Sequence, residues 1–132
     1  MKILYIHQYF NTPQQPGGTR SYWFSKELVN AGHEVIMFTS ARKGQQHFIE
    51  KKHIEGIAVT YVRNTYNREM GVIQRAWSFV RFMFYAIWFG IRQKDIDLVY
   101  ATSTPLSVAL PAMVVKWLKG VPFVFEVRDL WP

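Results

Sequence analysis

Short apolar runs separated by amphipathic stretches set the plan of the chain. Residues 3–6 (ILYI) and 35–39 (VIMFT) are β-rich and too short for helices, and they lack a polar beat. That pattern predicts strands buried on both faces, as in a parallel sheet. Residues 57–62 (IAVTYV), 97–101 (DLVYA) and 123–127 (FVFEV) read as further strands. Gly56 marks a turn before the third run, and 48–54 is placed to pair with it. Between the first two strands, Pro13, Pro16, Gly17 and Gly18 break the pattern. A helix is expected to open at about Thr19, whose hydroxyl can cap it, with Ser21, Phe24, Leu28 and Ala31 on one face and Gly32 as its stop.

Residues 71–94 form the least ordinary stretch. At helical spacing Gln74, Ser78, Arg81, Tyr85 and Arg92 make one narrow polar stripe, while apolar residues spread over much of the remaining surface. Arg81 divides the segment, so it is too short in uncharged length to span a bilayer, which takes about 20 residues. Three readings stay open: a core helix, a helix covered by another domain or partner, or a helix lying in a membrane interface. Beyond the next strand, Thr102, Ser103, Thr104 and Pro105 form a loop that opens a helix over 106–120. Pro111 predicts a kink or restart there, and Gly120 an end.

Strands alternating with helices imply an α/β fold, a Rossmann-like and mainly parallel sheet with helices on both faces. Ligands of such sheets bind beyond the carboxyl ends of the strands. The loops 8–19, 102–105 and 128–132 are therefore expected to converge on one rim. The glycine pair Gly17 and Gly18 would let backbone approach a ligand, and the helix start behind it could face a phosphate or carboxylate. A plain strand-to-helix turn explains the same residues, and the spacing is not that of a dinucleotide fingerprint.

Composition narrows this picture only in places. A length of 132 residues suits one domain, residues 1–132, and the final PFVFEVRDLWP, a strand with no closing helix, reads as part of something longer. A net charge of +7, from 16 Lys and Arg against 9 Asp and Glu, favours anionic partners. The absence of cysteine removes disulfides and thiolate sites, and the N-terminus does not read as a signal peptide. The polar stretch 40–52, with Arg42, Lys43, Lys51 and Lys52, is either a solvated loop or a basic rim. No histidine pair has metal spacing on one element, so no metal is expected. His7, at the end of the first strand, could bond a substrate hydroxyl or be a satisfied structural histidine. Glu126 and Asp129 lie three apart without establishing a glycosidase pair, and Arg128 beside Asp129 fits either a phosphate clamp or an ion pair shaping the loop. No GxSxG elbow supports a hydrolase.

The opening KILYIHQYFNTPQQPGGTRSYWFSKELVNAGHEV and the closing DLVYATSTPLSVALPAMVVKWLKGVPFVFEVRDLWP resemble the acceptor-side domain of GT-B retaining glycosyltransferases of family 4. The final EVRDLWP is similar to the WbuB-like subgroup, which adds amino sugars in O-antigen and capsule assembly. The resemblance implies an N-terminal acceptor-binding domain whose C-terminal partner domain, absent here, binds the nucleotide sugar. It implies transfer with retention, no cofactor or essential metal, and a UDP-sugar donor. The acceptor would be a sugar or a polyprenyl-diphosphate-linked sugar. It places Gly17 and Gly18 on the family's glycine loop, Thr19 and Arg20 at the helix behind it, and Arg128 and Asp129 where many members carry a His-Asp pair. An arginine there stays charged and cannot act as a neutral base, which leaves it a phosphate or Asp129 to hold. Together with His7, Thr102 and Ser103, these are the expected site residues. The resemblance further implies a cytoplasmic location, peripheral at the inner face of the plasma membrane through residues 71–94. Two rival classes remain: a non-catalytic anion- or membrane-binding module, and, with no recognition-helix signature to support it, a nucleic-acid binder.

Overall fold

The computed structural model describes residues 1–8, 10–14, 19–40, 47–63, 71–102 and 109–127. In chain order these give β1 (Lys2–Ile6), α1 (Arg20–Asn30), β2 (Glu34–Ser40), β3 (Ile49–Ile54), β4 (Ile57–Val62), α2 (Val72–Arg92), β5 (Leu98–Thr102), α3 (Ala109–Lys119) and β6 (Phe123–Glu126). The strands form one sheet in the order β3-β4-β2-β1-β5-β6. All neighbours are parallel except the edge pair β3 and β4, which is antiparallel. The expected α/β architecture with a mainly parallel sheet is thus observed.

Alternation along the central strands divides the core between two faces. Ile3, Tyr5, Val35, Met37, Ile57 and Val59 pack with Tyr22, Leu28 and Val29 of α1. Leu4, Ile6, Ile36, Phe38, Val99 and Ala101 pack with Phe82, Ala86 and Phe89 of α2 and with Ala112 and Val115 of α3. A strand that feeds both faces must be apolar at every position, which is why the runs carry no polar beat. Phe38 stacks on both Phe82 and Phe89, with ring centroids 5.4 and 4.7 Å apart.

The stretch 40–52 is not one loop. Lys51 and Lys52 belong to β3, exposed on the sheet edge, where Lys52 lies over the Tyr61 ring. Paired register from Ile54 to Ile57 leaves only Glu55 and Gly56 in the turn, with φ of 49° and 84°. Two consecutive positive φ values are those of a type I′ hairpin, and glycine at the second meets that demand without strain.

In α1 and α2 the face turned to the core matches the one their polarity suggests only in part. In α1 the buried residues are Ser21, Tyr22 and Ser25; Ser21 and Leu28 of the expected face pack inward, while Phe24 and Ala31 are exposed. In α2 they are Ser78, Phe82, Ala86, Phe89 and Gly90, so Ser78 of the expected polar stripe is in the core. Of the three readings left open for 71–94, the core reading therefore holds for one face of α2. Small residues decide the matter, because they let the helix axis approach the sheet and α3. Pro111 lies in the first described turn of α3, and the helix continues through it to Lys119 without a break. No described helix is long and apolar enough to cross a membrane.

Candidate functional site

The strand order reverses at β1, whose neighbours β2 and β5 lie on opposite sides. In a parallel sheet this reversal opens a crevice at the carboxyl ends, where the flanking connections diverge. Three carboxyl ends and one helix start meet around it: His7 after β1, Thr102 ending β5, Glu126 ending β6, and Arg20 opening α1.

Glu126 ties them together. The Arg20 guanidinium donates to its Oε2 at 2.9 Å, the Tyr100 hydroxyl to the same oxygen at 3.0 Å, and the Thr102 hydroxyl to Oε1 at 2.9 Å. Tyr100 is itself held by rings, 4.7 Å from Tyr5 and 5.2 Å from Phe24, so α1, β1 and β5 jointly orient its hydroxyl. Burial pushes the Glu126 carboxyl up, but the hydrogen bonds from Thr102 and Tyr100 and the charge of Arg20 outweigh it, and its pKa falls below the ordinary value. A carboxylate with three donors on it is a brace for its neighbours, not a general acid. The Arg20 side chain is 62% exposed, so most of its donor fork faces the rim. There it can take an anion while Glu126 fixes its direction.

His7 is buried, with Nδ1 2.8 Å from the Ser21 hydroxyl, which fastens the end of β1 to the first turn of α1 beside Arg20. Of its two sequence readings, the satisfied structural histidine is the one this bond supports. Thr19 holds the N-cap position of α1, but its side chain makes no capping hydrogen bond, contrary to expectation; its backbone oxygen accepts from the Trp23 N–H. With φ near −116° and ψ near 13° its backbone is not in the extended form that brings a cap hydroxyl onto the next turn. The first turn of α1 also carries no acidic side chain, so nothing on the helix competes with an incoming anion. Gly17, Gly18, Ser103, Arg128 and Asp129 lie outside the described residues. Among the described residues no group of His, Asp and Glu could hold a metal ion.

Two residues gain importance that sequence reasoning did not assign them. In the sequence Glu126 stands out only for its distance from Asp129. Gln8 was only the start of a loop, yet it is 1% exposed with neither amide atom hydrogen-bonded among the described residues. Its backbone is firmly held, since the hydroxyls of Thr39 and Ser40 both donate to the Gln8 carbonyl, at 3.1 and 2.7 Å. A buried amide of this kind at the carboxyl end of the central strand has a donor and an acceptor to offer a polar ligand. A glutamine following an apolar run was the one available signal.

Glu126→Gln is expected to lower stability at neutral pH by about 1–3 kcal/mol, as a charge-assisted hub is lost. Glu126 ionises more readily folded than unfolded, so its contribution is present above the ordinary carboxylate value of about 4.3 and is lost as pH falls through the lowered folded one. Urea unfolding of both proteins at pH 7 and pH 3 checks this: the gap between them should be smaller at the lower pH.

The model of the glycosyl transferase 4-like domain matches residues 17–132. No curated protein matches the chain. Among solved structures, the C-terminal domain (residues 78–226) of the PF1911 hydrogenase from Pyrococcus furiosus superposes with a TM-score of 0.64 at 18% identity, covering 95% of this chain and 90% of that one. An E. coli structure described as trehalose-6-phosphate bound with UDP-2-fluoro glucose gives a TM-score of 0.63 at 11% identity, covering 100% of this chain and 34% of that one. At such identities these likenesses speak for the fold, and this chain spans about a third of the E. coli one.

Proposed function

Because the chain belongs to the family of glycosyl transferase 4-like domains, we propose that it is the acceptor-side half of a retaining GT-B glycosyltransferase that serves cell-surface polysaccharide assembly. The donor is a nucleotide sugar, a UDP-sugar, held mainly by a second domain. The acceptor is a sugar or a polyprenyl-diphosphate-linked sugar of O-antigen or capsule type. No cofactor takes part.

The observation that carries this reading is the Arg20–Glu126 pair at the sheet's crevice. Transfer from a nucleotide sugar builds negative charge on the leaving diphosphate, and a fixed guanidinium at an uncapped helix start is suited to meet it. Glu126 keeps that guanidinium in place before substrate arrives, which removes part of the ordering cost. His7 and Ser21 hold the helix start to β1. Gln8, Thr102 and Ser103 are assigned to acceptor hydroxyls, and Gly17 and Gly18 to close backbone approach. Asp129 is assigned to an acceptor hydroxyl at the reacting centre, and Arg128 to a phosphate or to Asp129. The lipid part of such an acceptor lies in a membrane, which gives the enzyme reason to work at a bilayer surface.

The test is transfer by the full-length enzyme with a panel of UDP-sugars and extracted membrane lipid. Arg20→Ala should lower kcat/KM for the donor by about tenfold to a hundredfold, the size of a lost charge-assisted contact, with the fold retained by circular dichroism. Transfer unchanged by Arg20→Ala, or absent with every donor, would remove the proposal.

A further inference from the structure

We propose that the outward face of α2 and α3 is a docking surface for an anionic lipid bilayer. The motive rests on the lipid-linked acceptor proposed above, but the surface stands on its own geometry.

Opposite the buried stripe of α2, Ile73, Trp77, Phe84, Trp88 and Ile91 follow one another at spacings of four, seven, four and three residues, which keeps them on one side of a helix. They face solvent: Ile73 is 85% exposed, Phe84 65% and Trp77 60%. On α3, Leu110, Met113 and Trp117 repeat the arrangement, and Trp117 is 76% exposed. The two helices cover the same face of the sheet and touch where Gly90 meets Val115, so both stripes turn outward on the same side of the molecule. Exposed apolar residues gathered on one side of a domain in this way mark a contact site.

Its charge names the occupant. Neither helix carries an acidic side chain, and Arg81 and Arg92 on α2 and Lys116 on α3 flank the two stripes, whereas Arg75 and Lys119 fall toward the buried sides of their helices. Arg92 lies over the Trp88 ring at 5.0 Å, placing a cation beside an indole. Three of the chain's five tryptophans, Trp77, Trp88 and Trp117, sit on this face. Indole rings at the headgroup level, aliphatic side chains just below it and cations among anionic headgroups are the contents of an interfacial contact. The helices are placed in the plane of the interface, since neither is long and apolar enough to cross the bilayer.

Flotation of the purified protein with vesicles tests this, comparing phosphatidylcholine alone with a mixture containing phosphatidylglycerol, at low and high salt. Binding is expected to the mixture only and to weaken with salt. Arg92→Gln and Lys116→Gln should each weaken it about fivefold. The combined variant Trp77→Ser, Trp88→Ser, Trp117→Ser should weaken it more than about tenfold. Its urea midpoint should be kept, because the positions are exposed. No flotation with the mixture, equal flotation with both vesicles, or flotation by the triple variant would overturn the proposal. So would a dimer that the triple variant abolishes, which would give the face to a second copy. Transfer to a short, water-soluble acceptor reads the enzyme separately: loss of flotation with transfer intact removes only the docking surface, and flotation without transfer removes only the enzyme reading.

Discussion

Gly90→Val is expected to lower the unfolding free energy by about 3 kcal/mol, and Gly90→Ala by a smaller amount even though alanine is the better helix former by about 1 kcal/mol. A Cβ at this position would stand 2.5 Å from Cγ2 of Val115 and 3.2 Å from Cδ2 of Leu4. Val115 and Leu4 are both fully buried, and a valine has no flexible end to swing aside. To make room, α2 would have to move away from α3 and β1 together, which loosens Phe82, Ala86 and Phe89 on the sheet. Urea midpoints measure the effect. A double-mutant cycle with Val115→Ala isolates its cause, since shortening Val115 should recover part of the loss in Gly90→Ala and none in a variant elsewhere on α2. A Gly90→Ala protein as stable as the parent would mean that the two helices are not in contact there.

The second large effect has opposite signs in two measurements. Gln8→Met is expected to raise stability by about 1–3 kcal/mol, because it removes a buried amide whose two polar atoms find no partner among the described residues and leaves a side chain of similar length. In the full-length enzyme the same change should reduce sugar transfer by more than about tenfold, since a site built to hydrogen-bond a hydroxyl discriminates strongly once that bond is lost. Stability gained with activity lost is the pattern of a residue kept for its ligand and against the fold. If the variant were less stable than the parent, Gln8 would be a structural residue and would leave the candidate site.

How much of this was readable beforehand differs by element. The strands were visible because burial on both faces demands uninterrupted apolar runs, and the hairpin turn because Gly56 stands between two of them. The orientation of α2 was not. Its hydrophobic residues cover too much of the circumference for polarity to choose a face, and the choice fell to Ser78, Ala86 and Gly90, whose merit is small size. The same holds for Ser25 on α1. The rim was legible as a place, through the positions of Arg20 and Thr102 after strands and before helices. The contact that organises it was not, because Arg20 and Glu126 are 106 residues apart and nothing local to either indicates the other. Gln8 escaped for a different reason: a lone glutamine at a strand end looks like solvent-facing loop until its burial is known.

The position of β1 between β2 and β5 has a consequence for how the chain comes to be folded. Strands β1 to β4 are all contained in the first 62 residues, so during synthesis four of the six strands can pair before α2 exists. That early four-stranded sheet has α1 on one side, while on the other Leu4, Ile6, Ile36 and Phe38 await Phe82, Ala86 and Phe89. The free edge of β1 awaits β5 as well. For the several seconds a ribosome needs to deliver α2 and β5, at about 5–20 residues per second, the nascent chain therefore presents a bare apolar sheet with an unpaired strand at its margin. Chaperone demand and losses to aggregation are set in that interval, before any of the finished molecule's stability can act.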